Sequence, residues 1–101
     1  MSMIRVEPHG GRDFAVEIAE ETAPGATART FSYRVRVDDA VIAALELDPD
    51  DDAGLSALVR ESFGYLLARE PASSILPDFD LSTISRYFPG YLDEIRSRVP
   101  R

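Results

Sequence analysis

"RTFSYRVRVD", residues 29–38, is the stretch from which the rest of the chain can be read. Phe31, Tyr33, Val35 and Val37 alternate with Ser32, Arg34, Arg36 and Asp38. A period of two puts the first set on one face of a strand and the second set on the other, so a half-buried strand is predicted. Upstream, "DFAVEIAE" (13–20) alternates in the same way, with Phe14, Val16 and Ile18 inward and Glu17 outward. "MIRVE" (3–7) places Ile4 and Val6 on one face. Turn residues in "PHGGR" (8–12) and "ETAPGATA" (21–28) suit the two connections. Residues 3–37 are therefore expected to form a three-stranded antiparallel meander with one solvated face.

Downstream the period changes from two to that of a helix. Asp38 or Asp39 is placed to cap "AVIAALEL", whose Val41, Ile42 and Leu45 share a face. "DPDDD" (48–52) reads as a loop ending in the acidic cap of a longer helix. In that helix Leu55, Leu58, Val59, Phe63, Leu66 and Leu67 form a broad apolar stripe. Ala53, Ala57, Gly64 and Ala68 fall on a different, narrow arc. A glycine inside a helix costs up to about 1 kcal/mol against alanine, so Gly64 reads as the mark of a close contact. Pro71 and Pro77 bracket a turn through "ASSIL". Asp80 then caps a further helix, with Phe79 and Ile84 as a hydrophobic staple. Leu81, Ile84, Phe88, Leu92, Ile95 and Val99 continue one helical face, and Pro89 splits it into two short helices. The expectation is one α+β domain, a meander packed on a helical C-terminal half of three to four helices. Phe31, Tyr33 and Val35 should meet Leu58, Phe63 or Leu66.

Composition bounds the chemistry. A chain of 101 residues with 45% hydrophobic content supports one modest core. Cysteine is absent, which excludes disulfides and thiolate metal sites. No run of signal-peptide or membrane-spanning length occurs, so a cytoplasmic protein is expected. Lys, Asn, Gln and Trp are missing too, the mark of a GC-rich and by expectation bacterial coding sequence. Asp38, Asp39, Glu46, Asp48, Asp50, Asp51 and Asp52 lie between Val37 and Val59 with no base among them. The remaining 11 of 18 acids match the 11 arginines, so the net charge of −7 belongs to that segment. Such a patch repels nucleic acid or attracts a basic partner, or simply gathers where helices begin.

No catalytic or metal constellation stands out. Reading Asp48, Asp50 and Asp52 as alternating calcium ligands puts Ala53 where a glycine is needed and Val59 where a glutamate is needed. His9 is the single histidine and lies in a turn. No serine sits in a nucleophile elbow, and "GG" at 10–11 joins two strands instead of opening a helix onto a phosphate. A non-enzymatic role without cofactor or metal is the expectation.

Two resemblances add to this reading. Phe31 to Arg69, an alternating strand followed by two helices with "LSALVRESFGYLL" in the second, resembles the ribbon-helix-helix repressors. That resemblance implies a dimeric DNA-binding regulator or antitoxin, with Ser32, Arg34 and Arg36 facing the major groove. In that family the second helix holds a phosphate at its N-terminus, where this chain has "DPDDDAG", so the charge opposes the contact. More broadly, "LVRESFGYLLAREPASSIL" with "FDLSTISRYFPGY" resembles, over residues 31–95, a family of small bacterial proteins to which no activity is assigned.

"FDLSTISRYFPGY" (79–91) itself holds four of the nine aromatics, more than its core face requires. Arg86, Tyr87 and Tyr91, together with Gly64, are accordingly expected at a protein-contact surface. The partner is another protein or a second copy of the chain, with nucleic acid disfavoured and no membrane involved. An uncovered positive stripe on the strand would favour DNA, a neutralised one protein.

Overall fold

The structure, a computed structural model, describes residues 2–20 and 29–98. The expected loop at 21–28 and Val99 lie outside the described residues. The meander is present: β1 (Ser2–Pro8), β2 (Asp13–Glu20) and β3 (Arg29–Arg36) pair antiparallel in sequence order. β3 is followed by α1 (Asp39–Leu45) and α2 (Asp52–Leu67), then by a 3-10 turn at Ala72–Ser74. The chain then returns to the sheet as β4 (Asp78–Asp80), parallel to β3, an element the sequence pattern did not announce. A parallel neighbour needs a long crossover, and α1 and α2 provide it. A 3-10 turn at Leu81–Thr83 leads into α3 (Ile84–Tyr87), and α4 (Tyr91–Arg98) closes the fold. The break between α3 and α4 falls at Phe88–Pro89, as the proline requires.

Alternation along the strands becomes layering. Phe14, Val16, Ile18, Tyr33 and Val35 are buried on the helix side, while Glu17, Ser32, Arg34 and Arg36 are exposed on the other. Ile4, Val6 and Phe31 are half-buried at the margin of this core. The Phe63 ring lies 5.2 Å from that of Tyr33 and 5.9 Å from that of Phe79, so strand and helix meet through aromatic contact. α2 is buried more widely than one stripe. Ser62 and Tyr65, outside the apolar pattern, are buried because α4 packs on that flank. Arg96 of α4 donates to the Ala44 carbonyl of α1 at 3.1 Å, and Arg98 approaches Glu61 of α2 at 3.9 Å.

Capping differs in part from expectation. Asp51 does cap α2, its carboxylate accepting the Gly54 N–H at 3.1 Å. A side chain on Gly54 would meet that carboxylate at 2.5 Å, so glycine is what leaves room for the cap. Asp38 occupies the N-cap of α1 but makes no cap bond there. Its Oδ1 instead accepts the Ser82 N–H at 3.0 Å, across the fold. Asp39 pairs with Arg12 of the β1–β2 turn. Asp80, expected to cap the helix after it, makes no side-chain cap bond. Asp38 does that work because β3 ends beside β4 and brings its carboxylate to the orphan N–H groups of the next turn.

Asp38→Ala should therefore cost about 1 kcal/mol, the usual value of a helix cap, whereas Asp80→Ala should cost no more than a few tenths. Urea unfolding of the two variants measures this, and the reverse ranking would return the cap to Asp80.

Candidate functional site

A groove of about 450 Å³ opens between the C-terminal end of α2 and the segment 74–88. Leu66, Ile75, Phe79 and Ile84 form its floor, and Leu76, Tyr87 and Phe88 its walls. The local fold follows from the prolines. Pro71 follows the end of α2 and cannot extend it. The next turn is tied to the sheet, because the Tyr33 hydroxyl donates to the Ala72 carbonyl. Pro77 then offers its carbonyl to the Arg34 N–H at 2.7 Å. Between these two tethers the backbone at Ile75 is extended, so Ile75 turns inward and Leu76 outward.

Leu76 is 49% exposed and Tyr87 69% exposed, and both lie on the same groove. Large apolar side chains left this open beside an apolar floor are what an interaction surface provides. The polar groups of the lining are Glu70, Ser74 and Thr83. Glu70 is half-buried, and no hydrogen bond or ion pair of its carboxylate occurs among the described residues. Arg69 beside it is occupied: its guanidinium lies 3.6 Å from the centre of the Tyr65 ring and donates to the Tyr65 carbonyl.

The expected contact residues separate. Tyr87 is on the groove, and Arg86 is exposed next to it in the chain. Tyr91 is not a surface residue: it is fully buried, with its ring 5.4 Å from that of Tyr65. Four residues after Tyr87 and beyond Pro89, it begins a new helix whose orientation the old helical face does not set. Its hydroxyl lies 2.6 Å from Ser62 Oγ, which itself donates to the Leu58 carbonyl at 2.8 Å. Ser62 has one proton, so the order is Tyr91 O–H to Ser62 O–H to Leu58 C=O, and a buried phenol is satisfied. Gly64 marks no close helix contact either; a Cβ there would have only Arg98 Nη1 near it, at 4.0 Å. Phe88, read as core, is half-buried and shared between the groove and an edge contact with Tyr65.

The solvated sheet face holds Ser32, Arg34 and Arg36 as the strand pattern implied. In register, Ser32 lies beside Glu17, Arg34 beside Asp78, and Arg36 between Asp13 and Asp80. Arg36 approaches Asp13 at 3.9 Å. This is a neutralised surface, not a positive stripe. Over Arg34–Arg36, β3 is paired on both edges, so that part has no edge for a second copy's β3. The acidic segment is largely committed to local structure. Asp38 and Asp51 cap turns, Asp39 pairs with Arg12, and Asp48 accepts the Asp50 N–H at 2.9 Å. Among the described residues no cluster of three or more potential metal ligands occurs, and no helix is long and apolar enough to cross a membrane. Comparisons with protein-family models, curated proteins and solved structures found no match.

The two tyrosines should respond oppositely to substitution. Tyr87→Ser should change stability by no more than about 0.5 kcal/mol, and Tyr91→Ser should cost about 3–5 kcal/mol. Burial, opposed in part by the Ser62 hydrogen bond, pushes the Tyr91 hydroxyl well above the usual tyrosine value of about 10. Its contribution is complete below about pH 10 and declines as the pH rises, because the unfolded chain then gives up a proton the fold retains. Tyr91→Phe should soften the alkaline fall in melting temperature, and an unaltered pH profile would contradict this placement.

Proposed function

We propose that the chain is a small acidic, non-enzymatic binding or regulatory protein whose groove receives an apolar segment of another protein that also carries a basic side chain. The observation that carries this reading is the exposure of Leu76 and Tyr87 on one apolar groove. An anchor from the partner would enter between them over Ile75, Phe79 and Ile84, the arrangement in which aromatic residues contribute most to binding. Glu70 supplies the electrostatic half. A half-buried carboxylate without a cation of its own among the described residues gains most from a partner's arginine or lysine. The net charge of −7 favours the approach of basic partners and disfavours nucleic acid. The arginines of the sheet face, each beside an acid, support protein over DNA by the same reasoning.

Selection from a display library of random peptides tests the proposal without a known partner. Enriched sequences should combine a large apolar residue with a nearby Arg or Lys. Leu76→Ser/Tyr87→Ser should abolish their binding, and Glu70→Arg should weaken it about tenfold or more, while Arg36→Ala leaves it unchanged. Acidic peptides, or peptides that bind the Leu76→Ser/Tyr87→Ser protein equally well, would overturn the assignment.

A further inference from the structure

We infer that β1 is a dimerisation edge, and that its occupant is the same strand of a second copy running antiparallel across a two-fold axis. β1 is the outer strand of the sheet, and among the described residues nothing pairs with its far side. Arg34 donates to Pro77 on the β4 side, and Val37 donates to Arg12 on the β2 side. Backbone groups alternate along a strand, so Val35 faces β2 and its register partner Phe14 faces β3. Ala15 and Glu17 then face β1, and their partners Glu7 and Arg5 face back toward them. That leaves the N–H and C=O of Ile4 and Val6, with the carbonyl of Pro8, directed at the open edge. The edge is only lightly protected: its register with β2 is unbroken, its one proline, Pro8, lies at its end, and its two charges, Arg5 and Glu7, are of opposite sign and so can complement a second copy.

The side chains choose both the occupant and the register. With the axis through Val6, the two Val6 residues exchange a pair of hydrogen bonds. Ile4 donates to the other copy's Pro8, which has to accept only. On the solvated face Arg5 then stands opposite the other copy's Glu7, and this occurs twice. Within the single chain Arg5 pairs with Glu7 of its own strand at 3.3 Å and has Glu17 beside it on β2, and across the junction each row runs acid, base and acid. Sliding by two residues sets Arg5 against Arg5 and Met3 against Glu7, which is unfavourable on both counts. On the helix side Ile4 and Val6 are half-buried within the single chain, and the pairing covers them with Pro8 and Val6 of the second copy. A two-fold axis closes the assembly at two copies and joins the sheets edge to edge.

Sedimentation equilibrium of the full chain tests this. The wild-type protein should show a concentration-dependent monomer–dimer equilibrium. Val6→Pro removes an N–H that the monomer does not use, so it should abolish the dimer while the circular dichroism spectrum is retained. Glu7→Arg, opposite Ala15 within its own sheet, should weaken the dimer about tenfold or more. Mixing Glu7→Arg with Arg5→Glu should restore association, since each then faces opposite charges. A wild-type protein that stays monomeric at its highest soluble concentration would overturn the inference. So would a dimer that survives both Val6→Pro and Glu7→Arg, or one lost only in Leu76→Ser/Tyr87→Ser, which would place the contact at the groove.

Discussion

Phe63 lies between the rings of Tyr33 and Phe79, and the arrangement of the molecule depends on that contact. It joins the middle of α2 to β3 and β4 at one point, while the same helix also runs against β1, so the crossover spans the sheet. The opposite flank of α2, carrying Ser62 and Tyr65, is thereby turned toward Tyr91 and α4. A helix covered on both flanks has no solvated stripe of ordinary width, which is why a serine and a tyrosine are buried along it. Ser62 is tolerable inside because its hydroxyl is paired with Leu58 and Tyr91, and among the described residues no buried side-chain polar atom is left without a hydrogen bond.

The groove is a by-product of the same geometry. Once Tyr33 holds Ala72 and Arg34 holds Pro77, the intervening residues are too few to fold back over α2, and Leu76 is directed outward. α3 ends at Tyr87 because Pro89 follows, so the aromatic ring remains at the lip of the groove instead of continuing into a helical face. Groove and core packing thus compete for the same short segment, and Phe88 is shared between them.

The outer face of the sheet shows how much a charge pattern depends on neighbours that sequence does not place together. Arg34 and Arg36 look like a basic stripe along β3, yet β2 contributes Asp13 and Glu17 and β4 contributes Asp78 and Asp80 to the same face. The acidic residues after Val37 look like a single patch, yet four of them are spent on caps, a turn and an ion pair. Exposed arginine and exposed aspartate have their meaning set by what lies across the ladder.

Local physics alone determined the meander, the order and nature of the helices, an acidic cap within 48–52 and the break at Pro89. Period-two alternation, apolar periodicity and the missing proline N–H act over a few residues and need no partner to be recognised. Tertiary structure decided the rest. β4 is three residues long and becomes a strand only because Arg34 and Arg36 offer it an edge. Asp38 caps a turn 44 positions away because the fold delivers Ser82 to it. Tyr87 and Tyr91 have the same chemistry and nearly the same place in the chain, but one is exposed and the other sealed. The bend at Pro89 aims the second at Ser62, and whether an aromatic ring is core or surface depends on what stands opposite it, which only the packed chain supplies.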